Sequence, residues 1–281
     1  MTPLDRSGKA PQNAQDAPPT VRALVLAAAR GPDDPMAKAF GLPHKCLLEV
    51  GGEPMLRRVV RALKAAPEVR DITIVIDDEA AAMRALGPGM AETVRFLPPA
   101  ESASASTLAA LEAMQRETPA TSVLVTTGDH ALLDPAMIHE ITSATARWPD
   151  ADLLVGLVHR QLAQRAFPEV KRTWLKFGRD AVTSCNLFLF RPPRALAAAR
   201  FWRRVERDRK KPWRIARAFG FWPLLRLLLG RATLEQAFGI ASRRLNITAR
   251  PVLLSMPEAA VDIDKPQDLA LAERILTRQK K

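Results

Sequence analysis

Short apolar runs separated by amphipathic helical segments are what most limits the folds open to this chain. Residues 21–28 read VRALVLAA, residues 71–76 DITIVI and residues 122–126 SVLVT. Runs without polar alternation suit strands covered on both faces, as in parallel sheets. Between them, residues 53–66 place Met55, Leu56, Val59, Val60 and Leu63 at helical spacing, and residues 106–115 form a second helix. Residues 93–97, 152–158, 184–190 and 252–255 read as further strands, and a last helix begins near Pro266 with Leu269, Leu271, Ala272 and Ile275. This alternation predicts a three-layer α/β/α domain around a mostly parallel sheet. Ligands are then expected beyond the carboxyl ends of the strands, in the loops after residues 28, 97 and 127.

At 281 residues the chain can bury one large core with an appended subdomain. Residues 1–20, rich in Pro, Ala, Gln and Asp, read as a disordered leader without the apolar run of a secretory signal. The domain is expected over residues 21–281. Arg217, Arg226 and Arg231 interrupt the most apolar stretch, so no run approaches the roughly 20 residues of a spanning helix. Cys46 and Cys185 have neither disulfide-framework nor zinc-site spacing, which fits a cytoplasmic protein.

The formal charge of +12 is concentrated in one place. Between Arg191 and Arg250 lie 16 Lys and Arg against three acids, Glu206, Asp208 and Glu235. Trp202, Trp213 and Trp222 fall in the same block, beside Phe201, Phe219, Phe221 and the leucines from Leu224 to Leu229. Basic and apolar residues interleaved at helical spacing predict a basic helical subdomain. Three roles stay open for it: a solvated helical face packed on the core, a surface for an anionic substrate, or peripheral contact with an anionic inner membrane face. No nucleic-acid partner is expected, because no finger, helix-turn-helix or RNP-type motif accompanies the charge.

The loop after the first strand reads Ala28-Ala29-Arg30-Gly31-Pro32 and runs on to His44-Lys45-Cys46, then Val50-Gly51-Gly52-Glu53-Pro54. A glycine-containing turn off a strand exposes N–H groups that can cradle phosphates, and Lys45 supplies a point charge. LVLAAARG followed by HKCLLEVGGEPML resembles the N-terminal signature of the nucleotidyltransferases with a glycosyltransferase-A-like fold. That superfamily includes molybdenum cofactor guanylyltransferases and sugar- and polyol-phosphate nucleotidylyltransferases. The resemblance implies a Rossmann-like, mixed and mostly parallel nucleotide-binding sheet carrying a basic helical insertion.

It implies further that Ala28, Ala29, Arg30 and Gly31 surround a triphosphate and that Lys45 holds its phosphates during transfer. Ala29 stands where the family has glycine, and the loop to Lys45 is longer than the family's. Thr126-Thr127-Gly128-Asp129 follows a strand where the family carries the aspartate that binds Mg²⁺. Asp262-Ile263-Asp264-Lys265-Pro266-Gln267-Asp268-Leu269 resembles its C-terminal D-I-D/N-x-P-E-D-L segment, which makes Asp264 a second metal ligand with Asp262 in support. Ser104 and Ser106 fall in a segment resembling the family's nucleotide-contacting S-x-S-L, although serine before a helix is also an ordinary N-cap. Asn186 resembles an asparagine near the acceptor. The implied reaction takes an NTP, with CTP, GTP and UTP all open, and a phosphorylated acceptor, either lipid-linked or a sugar or polyol phosphate. Cofactor guanylylation and a noncatalytic nucleotide-binding protein of the same fold are the alternatives. Oligomeric state is not legible.

Overall fold

The computed structural model describes residues 20–29, 34–169, 172–178, 180–208 and 232–279. The strands are β1 (Val21–Leu26), β2 (Val69–Val75), β3 (Arg95–Leu97), β4 (Val123–Thr127), β5 (Leu153–His159), β6 (Leu175–Phe177), β7 (Asp180–Phe190) and β8 (Ala249–Leu253). They form one sheet in the order β3-β2-β1-β4-β7-β5-β8, with β6 paired to β7. β1 runs parallel to β2 and β4, β2 to β3, and β5 to β8. β7 is reversed, antiparallel to β4, β5 and β6. The sheet is therefore mixed, with its parallel half where the apolar runs of the sequence placed it.

The helices are α1 (Pro35–Ala39), α2 (Met55–Ala65), α3 (Glu79–Leu86), α4 (Ala103–Glu117), α5 (Pro135–Arg147), α6 (Arg160–Ala166), α7 (Leu196–Asp208), α8 (Leu234–Leu245) and α9 (Pro266–Gln279). They cover both faces of the sheet because alternate strand residues point to opposite sides. On one side Ala23 and Val25 of β1 pack with Leu56 and Val59 of α2, Ile138 of α5 and Ile275 of α9. On the other, Leu24 packs with Leu108 and Leu111 of α4 and Ala199 of α7. Arg22, on that second side, is buried but not isolated: its guanidinium meets Asp71 at 2.8 Å, Glu117 at 3.2 Å and the Thr118 hydroxyl at 3.0 Å. A buried cation needs such partners, and here they tie β1, β2 and the end of α4 together.

Several boundaries differ from the sequence reading for local reasons. α2 begins at Met55, not at residue 53, because Gly51 and Gly52, both at positive φ, make a tight hairpin closed by the Glu49–Pro54 bridge and a Val50 N–H to Glu53 carbonyl bond of 2.9 Å. α4 begins at Ala103, since the Ser102 hydroxyl accepts the Ala105 N–H and caps it there. Among residues 93–97 only Arg95–Leu97 is strand, and residues 91–93 form a 3-10 turn. The basic block is helical at both ends, where α7 packs on α4 and α8 on β8. Its centre, residues 209–231 with Trp213, Trp222 and the leucine run, lies outside the described residues, as do residues 1–19.

Candidate active site

Parallel strands bring their carboxyl ends to one edge of the sheet, so the segments that leave β1, β2 and β4 meet there. Gly128 follows β4 and donates its N–H to the Leu26 carbonyl at 2.8 Å, and Ala27 donates to the Val75 carbonyl at 2.9 Å. A Cβ on Gly128 would lie 2.9 Å from the Cβ of Ala27. The glycine is thus required for the β4 turn to approach the first loop, and Asp129 is delivered immediately after it.

Lys45 lies on a 3-10 turn of residues Lys45–Leu47. Its ammonium reaches Asp129 Oδ2 at 2.9 Å and Asp264 Oδ1 at 3.3 Å. Burial works against the charge on Lys45, but the two carboxylates outweigh it and hold its pKa above the ordinary lysine value. Asp129 shows the converse: burial opposes ionisation, Lys45 overrides it, and the carboxyl stays below the usual carboxylate range. Both are charged at neutral pH. The second oxygen of Asp129, Oδ1, is buried and has no hydrogen-bond partner among the described residues. Next to it, burial pushes His130 down to about 4, so that ring is neutral.

The C-terminal segment is stitched to the β4 turn by the Ile263 N–H, which donates to the Asp129 carbonyl at 3.1 Å. Asp262 and Asp264 flank that residue, and they have different surroundings. Asp262 pairs with Arg172 and accepts from Asn186 Nδ2 at 2.8 Å. Burial raises its pKa; Arg172 counters, and the nearby Asp129 and Asp264 add to the rise. Asp264 is more exposed and faces Lys45. Asn186 reaches Asp262 from a bulge in β7, where its φ is 50° and the β5–β7 register shifts between Val155 and Leu157. Gly156 leaves the room for it: a Cβ there would meet the Leu187 carbonyl at 3.0 Å.

The nucleotide-binding candidates are placed less simply. Arg30 and Gly31 lie outside the described residues. Ala28 and Ala29 lie on the first loop, and the Ala29 N–H is bonded to Asp77 Oδ1 at 2.9 Å. Ser104 and Ser106 are inside α4, not before it. The hydroxyl and N–H of Ser104 both go to Glu206 of α7, and the Ser106 hydroxyl accepts the Ala100 N–H at 2.9 Å. The N-cap is Ser102.

Three positioning residues have no site role in the sequence reading. Arg172 holds Asp262, Glu206 occupies the start of α4, and Asp77 joins the first loop to the lysine turn. The last does so through His44, whose Nε2 meets Asp77 Oδ1 at 3.2 Å while its Nδ1 accepts the Cys46 N–H at 3.1 Å. That acceptor role fixes the tautomer with the proton on Nε2.

The model of the MobA-like NTP transferase domain matches residues 23–214. The chain belongs to that family. This MobA-like NTP transferase domain is an enzyme, a nucleotidyltransferase. Among solved structures, a hypothetical transferase from Thermus thermophilus is 30% identical, with a TM-score of 0.71 over 89% of this chain and 99% of that one. A CMP:2-keto-3-deoxy-manno-octonic acid synthetase complexed with CTP is 14% identical, with a TM-score of 0.57 over 93% and 99%. The 4-diphosphocytidyl-2C-methyl-D-erythritol synthase of Anaerococcus prevotii is 12% identical, with a TM-score of 0.54 over 93% and 100%. These last two share the fold. No curated protein matches the chain.

Proposed function

We propose that this nucleotidyltransferase moves a nucleoside monophosphate from CTP, GTP or UTP to a phosphorylated acceptor, with release of pyrophosphate. The observation that carries the reading is Lys45 held between Asp129 and Asp264 where the loops after β1 and β4 converge. An acceptor phosphate oxygen attacks the α-phosphorus, one P–O bond forms, and the bond to the β-phosphate bridging oxygen breaks. The protein's part is to position the two phosphates and to stabilise charge. Lys45 would leave its carboxylates for the triphosphate, and Ala28 and Ala29 would line the phosphates. Ser104 would face the nucleoside once Glu206 yields, and Ser106 once its hydroxyl gives up the Ala100 N–H.

Asp129 and Asp264 are the residues that would hold Mg²⁺. The orphaned, buried Oδ1 of Asp129 fits a hard cation that takes oxygen ligands. Mg²⁺ commonly sits on one or two carboxylates plus substrate phosphates, so two aspartates are enough to hold it. When bound, the ion neutralises phosphate charge and polarises the phosphoryl group. Asp262, engaged by Arg172 and Asn186, serves as a positioning residue; Asn186 acts near the acceptor through it.

No described helix is long and apolar enough to cross a membrane. Peripheral contact remains part of the reading, because on α7 Trp202 is 38% exposed beside the exposed Arg203, Arg204 and Arg207.

The test is pyrophosphate release from each NTP with Mg²⁺ against sugar, polyol and lipid-head-group phosphates and molybdopterin. CTP comes first, since one structural neighbour is complexed with it. Release with one NTP that disappears in Asp129→Ala is expected. Silence throughout, without Mg²⁺-dependent NTP binding, would make the chain a noncatalytic member of the fold.

A further inference from the structure

A cavity of about 490 Å³, none of whose lining residues belongs to the catalytic cluster, opens where α2 and the last turns of α9 meet the Gly51–Gly52 hairpin. Arg57, Arg58 and Arg61 of α2 line it, and Leu276 is its one apolar side chain among the described residues. Arg57 and Arg61 are exposed one helical turn apart, while Arg58 is more deeply set. The three guanidiniums share one carboxylate in the wall, Glu53, at 2.9 Å for Arg61, 3.6 Å for Arg57 and 3.8 Å for Arg58. Only the first is short enough for a hydrogen bond. The other acid acting on Arg58 is Glu273, whose Oε1 accepts the Gly51 N–H at 2.7 Å.

Three cations against two carboxylates leave positive charge in excess. Burial and the neighbouring Arg61 hold Arg58 below the ordinary arginine value in spite of both acids, so an added anion would relieve an electrostatic cost already present in the fold. Guanidinium forks match phosphate oxygens, and the volume is in the range of small-molecule sites. Arg58 also joins the cavity to the catalytic loops. Its Nε donates to the Ala131 carbonyl at 2.9 Å and its Nη1 to the Val50 carbonyl at 3.4 Å. Ala131 is two residues beyond Asp129, and Val50 lies in the hairpin that follows the Lys45 turn. The third catalytic segment is tied in by α9, which begins two residues after Asp264. Its Leu276 packs so closely on the hairpin that a Cβ on Gly51 would lie 2.9 Å from the leucine Cδ1.

We propose that this cavity is an effector site for a phosphate-bearing anion, free or on a lipid head group, and that its occupancy tightens the junction that places Lys45, Asp129 and Asp264. Binding stands apart from the nucleotidyl-transfer reading; the effect on turnover rests on it. Arg57 and Arg61 supply the charge that receives the anion. Arg58 is a positioning residue, since an anion beside it favours the guanidinium that braces the Val50 and Ala131 carbonyls.

The experiment pairs two readouts on the full chain. Inorganic phosphate and fructose 1,6-bisphosphate are titrated by calorimetry at constant ionic strength, and phosphatidylcholine vesicles with and without phosphatidic acid form the lipid arm. At least one of these probes is expected to bind. Arg57→Gln combined with Arg61→Gln, both exposed on α2, should weaken that binding at least tenfold, whereas Lys45→Ala should leave it within twofold. Loss in Lys45→Ala instead would put the anion among the catalytic residues and overturn the proposal, as would binding that the double variant leaves unchanged or failure of every probe. Retention on phosphatidic acid vesicles alone, lost in the double variant, would name a head group as the source. Saturating the site should raise kcat for pyrophosphate release at least twofold with the KM for NTP within twofold, a response absent from the double variant; an unaltered kcat would overturn the effector role. Site-specific binding in a protein that releases no pyrophosphate from any NTP would sink the transfer reading and leave the anion site standing.

Discussion

Lys45 and Asp129 support one another, so the consequences of changing either are worked out at the level of single groups. The Asp129 pKa is depressed in the folded protein, which means that its ionised form stabilises the fold. That contribution is complete above the unfolded value of about 4 and is lost as pH falls through the lower folded value. Asp129→Asn should therefore unfold more easily in urea at pH 7, by about 2 kcal/mol, the scale of a hydrogen bond to a charged group. The gap should begin to narrow below about pH 4. A gap of constant size from pH 7 to pH 3 would show that the Lys45 ion pair does not account for it. The residues of this pair were legible because HK and TTGD fall at positions defined by their strands and by the resemblance. Arg172 was not: it lies in an irregular segment, and its partner Asp262 is 90 residues away in sequence. Asp77 could have been found, since it follows β2 at the same edge as the loops after β1 and β4.

Elements meet in this site at two close approaches, each of which makes a testable claim. The β4 turn touches the first loop at Gly128, where an added Cβ would meet the Cβ of Ala27 at 2.9 Å and its Cα at 3.2 Å. A short residue such as Ala27 cannot swing aside, so Gly128→Ala must separate the two segments. Turnover should fall at least tenfold for a stability loss of about 1–3 kcal/mol; unchanged kinetics would mean that the spacing of Asp129 from the first loop is not critical. The start of α4 meets α7 where Glu206 accepts from the Ser102 hydroxyl at 2.9 Å and from the Ser104 N–H and hydroxyl. A carboxylate at a helix N-terminus is favourable, so Glu206→Ala should cost about 1–2 kcal/mol in urea denaturation. If Ser104 contacts the nucleoside, the same variant should also change the KM for NTP with little change in the KM for acceptor. A helical period in residues 106–115 was enough to find α4, but its true start was hidden because three serines in alternation, Ser102, Ser104 and Ser106, are equivalent as caps until the fold chooses one.

Across the whole molecule, the parallel half of the sheet could be read from VRALVLAA, DITIVI and SVLVT because strands buried on both faces leave a continuous apolar signature. The reversal of β7 could not, since an apolar run carries no direction. The same limit applies to the basic block, whose composition identified charge and aromatic content but not which way it faces. On α7 the outcome is divided: Leu196 and Ala199 are buried against the sheet, whereas Trp202, Arg203, Arg204 and Arg207 are exposed. Arg203 is held by Glu101 at 2.8 Å and Arg200 by Glu112 at 2.9 Å, so part of this charge is internal to the α4–α7 contact. The remainder should act as a field on an anionic surface, strongest where screening is weak. The full chain should co-sediment with vesicles rich in phosphatidylserine at about 10 mM salt, where the Debye length is about 30 Å, and be released by about 150 mM, where it is about 8 Å. Vesicles of phosphatidylcholine alone should not retain it. Replacing Arg204 and Arg207 by Gln should lower the retained fraction, because these exposed arginines are not needed to pack α7. Absence of binding at low salt would assign the block's charge to the fold and its acceptor instead of to a membrane.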